Sequence, residues 1–81
     1  MNFKELFEKL YEKYAQEFIV ETYYSCLKVE TIRIKNEFFE IIIPNYATSK
    51  KEIMIKTYNN LASYNMIESI SNAVNRLLKQ K

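Results

Sequence analysis

The side chains that most often carry chemistry are scarce in this chain. Its 81 residues include no histidine, glycine, aspartate or tryptophan, and one cysteine, Cys26. Without histidine there is no Ser-His-Asp or Cys-His relay and no imidazole metal ligand. Without glycine there is no phosphate-cradling P-loop and no dinucleotide fingerprint. One cysteine, with glutamate as the only acidic side chain, makes a zinc or calcium site unexpected. None of the glutamates has a lysine two positions later, so the Glu-x-Lys element of many nucleases is missing. Two spacings remain. Ser25-Cys26-Leu27-Lys28 matches Ser-x-x-Lys, which can pair a serine nucleophile with a lysine base; the chain is too small for those enzymes and offers no evident oxyanion site. Glu8 and Glu12, at i,i+4 spacing, could act as paired carboxylates, but Lys9 and Lys13 beside them favour a solvated polar face. Cys26 has no base nearby in sequence and is expected to be a small buried apolar residue. We therefore expect a protein that is not an enzyme, with no cofactor and no metal.

The elements that position these residues follow from periodicity. Phe3, Leu6, Phe7, Leu10, Tyr11 and Tyr14 recur at helical spacing and predict a helix over 2–16, with Asn2 as its cap and Glu5 at capping-box distance. From Phe18 to Tyr24 the chain is rich in β-branched and aromatic residues. Val29 to Lys35 and Glu37 to Ile43 are two more strand-like runs, the latter with Phe39, Ile41 and Ile43 on one face. Lys35-Asn36 suits a tight turn, because asparagine tolerates the left-handed region. Connections this short require an antiparallel meander, which Pro44 ends. Ser49 and Glu52 have capping-box spacing and open a helix over 50–62 that would bury Ile53, Met54, Tyr58, Leu61 and Ala62. The β-rich run Ile53 to Tyr58 supports a fourth strand instead, and the two readings stay open. A last helix over 66–80 is expected, capped by Asn65 with Glu68, with Ile67, Ile70, Val74, Leu77 and Leu78 on its apolar face. Arg76 and Lys79 suit its C-terminal dipole. The expected fold is one α+β domain over 1–81: an N-terminal helix, a three- or four-stranded antiparallel meander, and one or two C-terminal helices on one face of the sheet.

Composition sets further bounds. Hydrophobic residues make up 48% and charged residues 27% of the sequence, enough apolar material for a core and too little charge for a disordered chain. A domain this small is marginal alone, and its many tyrosines and isoleucines suggest apolar surface for a partner or a second copy to cover. A single cysteine cannot form an internal disulfide. There is no apolar run of about 18 residues to span a membrane. The opening Met-Asn-Phe-Lys-Glu lacks the core of a secretion signal, so a cytoplasmic or nuclear protein is expected. The residue usage, heavy in Ile, Lys, Asn and Tyr, matches A/T-rich codons. The net charge of +2 is modest. Its distribution is uneven: Glu5, Glu8, Glu12, Glu17 and Glu21 load the first quarter, while Lys50, Lys51, Lys56, Arg76, Lys79 and Lys81 make the second half basic. Either a modest basic face or a generally solvated surface would result.

Leu6-Phe7-Glu8-Lys9-Leu10-Tyr11-Glu12-Lys13-Tyr14 and Ser49-Lys50-Lys51-Glu52 resemble the first-helix pattern and the second-helix opening of the double-stranded-RNA-binding domain. The resemblance covers residues 3 to 62. It implies a helix, three strands and a helix that reads A-form RNA by shape, with Lys50 and Lys51 on phosphates across the major groove. Two lysines in a first helical turn oppose its dipole, and phosphate would reverse that cost. Lys9 and Lys56 would extend the footprint. The chain departs from the family at its Gly-Pro-x-His loop, where Tyr24-Ser25-Cys26-Leu27 stands, and at the third lysine of the cluster, which falls at Met54. Domains of this type that have lost the RNA surface serve as protein-binding or dimerising modules. Two partners are thus expected: an RNA duplex held by Lys9, Lys50, Lys51 and Lys56, or a protein met through Tyr-rich surface, a second copy included. Small size and A/T-rich composition also fit a phage-borne inhibitor of the anti-CRISPR or anti-defence kind.

Overall fold

The computed structural model describes residues 1–58 and 62–80. Helix α1 (Phe3–Tyr14) leads into strands β1 (Ile19–Tyr24), β2 (Glu30–Lys35) and β3 (Phe39–Pro44). A single 3-10 turn, Lys50–Glu52, precedes strand β4 (Met54–Thr57), and helix α2 (Tyr64–Leu78) closes the chain. The strands form one antiparallel sheet in the order β1-β2-β3-β4. The fold is therefore the expected α+β arrangement, with the four-stranded form of the sheet.

Register decides which side chains meet. Val20, Ile34, Ile41 and Ile55 form one cross-strand row, and Thr22, Ile32 and Ile43 form the next on the same face. Leu6 and Leu10 of α1 and Ile67, Ile70 and Val74 of α2 close over these rows in one core. Both helices thus cover the same face of the sheet. Phe18 and Phe39 extend the core at the β1 end, their ring centroids 5.8 Å apart. Burial of Ile32, Ile34, Ile41 and Ile43 is complete, and each such side chain contributes roughly 1.5–3 kcal/mol relative to exposure.

The turns use their residues differently from the expectation. Asn36 keeps a negative φ; its carboxamide oxygen accepts from the Phe38 and Phe39 amides at 2.9 and 3.0 Å, so it shapes the β2–β3 turn through its side chain. The left-handed residue is Lys28, with φ 61°, in the β1–β2 turn. There the Lys28 amide donates to the Ser25 carbonyl at 2.8 Å and the Ser25 amide to the Val29 carbonyl at 3.0 Å. That is a tight turn followed by a bulge, a geometry that glycine usually serves.

The helix expected over 50–62 does not form in its described part. Ser49 and Glu52 do act as a local box: the Ser49 hydroxyl accepts from the Lys51 amide, and the Glu52 carboxylate accepts from the Thr48 amide and hydroxyl at 2.8 and 2.7 Å. The box caps one 3-10 turn only. Beyond it, Ile53 ends the turn in extended backbone and Met54 to Thr57 run on as β4, because the outer edge of β3 offers a row of backbone partners. Met54 and Tyr58, expected in the core, are 57% and 54% exposed. Ala62 is buried as expected, and Leu61 lies outside the described residues. Helix α2 begins earlier than expected: Ser63, not Asn65, caps it, its hydroxyl accepting from the Met66 amide at 3.2 Å.

Candidate binding surface

The four lysines expected to hold a nucleic acid stand on three separate elements. Lys9 lies on the exposed side of α1. Lys50 is docked on α2: its amide donates to the Asn75 side chain at 2.9 Å and its ammonium to the Asn72 side chain at 2.8 Å. Lys51, beside it, is exposed. Lys56 pairs in register with Glu40 on β3 and so points to the sheet face opposite the helices. Lys50 and Lys51 stay together, while Lys56 projects from the other side of the sheet. Lys50 and Lys51 also occupy a 3-10 turn, not the first turn of a long helix, so the phosphate-facing helix end expected of them is absent.

The other chemistry-bearing residues are committed to structure or to solvent. The Ser25 hydroxyl accepts from the Val29 amide at 3.2 Å and Lys28 turns the chain, so the Ser-x-x-Lys spacing is used by the hairpin. Cys26 is exposed at the tip of that hairpin, contrary to its expected burial, because the short loop has no core beneath it. Glu8 and Glu12 lie on the exposed face of α1. Among the described residues no group of three histidine, cysteine, aspartate or glutamate side chains could hold a metal ion, and no helix is long and apolar enough to cross a membrane.

Two features were missed at the level of sequence. The first is a polar network on the helix-free face of the sheet. Arg33 donates from Nε to Glu21 at 2.8 Å and, more weakly, to Glu40 at 3.4 Å. Its guanidinium carbon lies 4.5 Å from the centre of the Tyr23 ring. The Tyr58 hydroxyl donates to the other Glu40 oxygen. That bond, together with the Glu40 charge, raises the Tyr58 pKa above its ordinary 10.0. The Glu21 hydrogen bond is the largest influence raising Arg33 above its ordinary value. Glu40 is buried at 5% exposure beneath these groups.

The second feature is the outer edge of β4. All four residues of the strand are exposed, and it forms one edge of the sheet. The Tyr58 amide donates to the Phe38 carbonyl at 2.8 Å. Antiparallel alternation then gives the backbone groups of Lys56 and Met54 to β3 and turns those of Ile55 and Thr57 outward, away from the sheet. Beside this edge a groove of about 410 Å³ separates β4 from α2. Ile55, Tyr64 and Ile67 give it apolar walls, and Lys50, Lys51 and Glu68 place both signs of charge in it. Ser71, only 8% exposed, also lines the groove, and among the described residues its hydroxyl has no hydrogen-bond partner. A second cavity, about 200 Å³, lies between the start of α1 and the end of α2, lined by Phe3, Leu6, Pro44 and Leu77 among others. The one strand residue that lines it, Pro44, belongs to β3 inside the sheet, so the β4 edge is the stronger candidate for pairing with a further strand.

The edge on β1 differs. Val20 is buried there against the core that α1 completes, whereas Ile55, its counterpart in the same cross-strand row, stays 45% exposed. The sequence signal that pointed to β4 was the β-rich run Ile53 to Tyr58; its outward backbone groups became visible only with the register. Comparisons with protein-family models, curated proteins and solved structures find no match to this chain.

Proposed function

We propose that the protein is a non-enzymatic binding module that takes up an extended segment of a protein chain along β4, adding a strand to its sheet. The observation that carries this reading is the exposed β4 edge, with Ile55 and Thr57 presenting, beside an apolar groove, N–H and C=O groups that have no partner among the described residues. Long-lived edges of this kind are normally blunted by charge, proline or a covering element; within β4 Lys56 is the one such device, and it lies on the sheet face opposite the groove. Strand addition supplies affinity through main-chain bonds and specificity through alternate side-chain pockets. Here the groove would receive side chains on the helix face, and its Ser71 hydroxyl would gain a partner.

The test is a selection of displayed random peptides on the immobilised full chain and on Thr57→Pro. Proline at 57 removes an outward N–H and leaves the ladder with β3 intact, as edge positions tolerate. Selected peptides should read as alternating extended sequences and should lose affinity for Thr57→Pro. Peptides that bind both proteins equally would sink the reading. A 20-base-pair RNA duplex titrated across a salt series is the parallel arm. Tight duplex binding with a steep salt slope, weakened by Lys50→Ala and Lys51→Ala, would put RNA in place of a peptide.

A further inference from the structure

We infer that the strand added to β4 is the β4 of a second copy of this chain, paired antiparallel about a two-fold axis at Ile55. The inference rests on the strand-addition reading above and names its occupant. A two-fold interface must be self-complementary, because the same patch serves both partners. Few registers of so short a strand meet that condition. An axis at Met54 would need the Ile53 N–H, which already donates to the Lys50 carbonyl at 3.2 Å. An axis at Lys56 would set Lys56 directly against its own copy, a like-charge pair that opposes association. An axis at Thr57 would leave most of β4 without a partner.

The axis at Ile55 meets these faults least: its central pair is free of them, and the engaged Ile53 N–H costs only one bond in each outer pair of Thr57 with the partner's Ile53. Ile55 of each copy exchanges both backbone bonds with the other, since its N–H and C=O are the outward ones. On the helix face the two Ile55 side chains meet, flanked by the grooves that Tyr64 and Ile67 line. On the opposite face Met54 lies across from the partner's Lys56, whose aliphatic stem can cover it while its ammonium stays in solvent. The two most exposed apolar side chains of β4, Met54 at 57% and Ile55 at 45%, are thereby covered together. The groove carries Lys50, Lys51 and Glu68, so it has no uniform sign that would select a purely acidic or purely basic ligand, and it suits a partner with the same mixture. The result is one continuous eight-stranded sheet, the sum of four strands from each copy.

Two measurements on the full chain test this. The first is solution mass against concentration, from micromolar to millimolar, for the wild type, Ile55→Lys and Thr57→Pro. The wild type should rise from 9.8 kDa toward twice that value. Ile55→Lys should weaken association by at least roughly tenfold by placing two charges at the axis, and Thr57→Pro should weaken it with the apolar contact left in place. Circular dichroism confirms that each variant folds. The second is a register scan by disulfide in a Cys26→Ser background. Directly opposed bonded pairs hold their Cα atoms about 5.5 Å apart, within disulfide reach. Ile55→Cys should therefore cross-link to its copy under mild oxidation, while Thr57→Cys and Lys56→Cys should not. Selective linking at Lys56→Cys would overturn the register. A monomer at every concentration would overturn the second copy as occupant and leave strand addition by a different chain standing. A dimer that survives both edge variants would overturn β4 as the site altogether.

Discussion

Arg33→Met tests the polar network on the helix-free face of the sheet. Methionine keeps part of the aliphatic stem and removes the guanidinium. Three contributions are lost. The pair with Glu21 is partly solvated, with side-chain exposures of 27% and 40%, so it is worth about 0.5–1 kcal/mol. The contact with the Tyr23 ring, at 4.5 Å, adds about 0.5–1 kcal/mol. The larger part comes from Glu40, whose side chain is 6% exposed: stranding a buried carboxylate costs about 3–5 kcal/mol when its pair is fully enclosed. The 3.4 Å separation, the solvent reaching Arg33 and the remaining Tyr58 bond reduce that to about 1–2 kcal/mol. The total is about 3 kcal/mol, a large share of the roughly 4–12 kcal/mol expected of a chain this long. Guanidinium denaturation followed by circular dichroism should show it as a midpoint lowered by about 1.5 M, taking a slope of about 2 kcal/mol per molar. Adding Glu40→Gln, which removes the stranded charge and still accepts from Tyr58, should recover at least about 1 kcal/mol. A loss below about 1 kcal/mol for Arg33→Met, or costs that simply add in the double variant, would refute the network as an interdependent unit.

Three further expectations can be checked by the same denaturation measurements. Lys28→Gly should stabilise the chain by about 1 kcal/mol, because φ of 61° strains a side chain bearing a Cβ; no gain would mean the bulge is not populated in solution. Ser63→Ala should cost about 1 kcal/mol while Asn65→Ala costs little, since Ser63 holds the cap of α2; the reverse ranking would move the helix start. Hydrogen bonds from the Thr48 amide and hydroxyl lower the Glu52 pKa below its ordinary 4.5. A depressed folded-state pKa contributes stability that is present above the unfolded value and lost as pH falls through the folded one. The stability gap between wild type and Glu52→Gln should therefore be seen at neutral pH and close in acid; a gap independent of pH would contradict the assignment.

The parts of the fold that were legible in the sequence are those set by local pattern. Asn2 with the apolar spacing of Phe3 to Tyr14 specified α1, and alternation specified β1, β2 and β3. Residues 50–58 were ambiguous because two true signals compete there. The Ser49–Glu52 box is real and closes a turn, but the outer backbone of β3 needs a partner, and Met54 to Thr57 supply it. Such tertiary demand leaves no mark within a short window. The lysines expected to act together lie on separate elements for a related reason. The side of the sheet that Lys56 takes depends on its register opposite Glu40, and no spacing between Lys50, Lys51 and Lys56 encodes that. Arg33 with Glu21 and Glu40 could have been found: once the two turns fix the strand registers, alternation alone places all three on one face. The exposure of Cys26 was hidden because residue type says nothing of whether a loop has a core beneath it.

Each strand pairs only with its neighbours in the chain, and this simple order has a kinetic consequence. Contacts that are close in sequence cost little loop entropy to form, so folding should be fast, with the two hairpins closing early. Strand β4 follows a longer connection than the others and has β3 as its one strand neighbour within the molecule. Until it docks, the outer backbone of β3 is bare, and Ile41-Ile42-Ile43 beside it is the most apolar and β-prone stretch of the chain. A nascent chain halted at that stage would present a templating edge to its neighbours. Glu40 and Pro44 bracket this triplet, the first carrying a charge and the second breaking the strand, as residues that restrain aggregation commonly do.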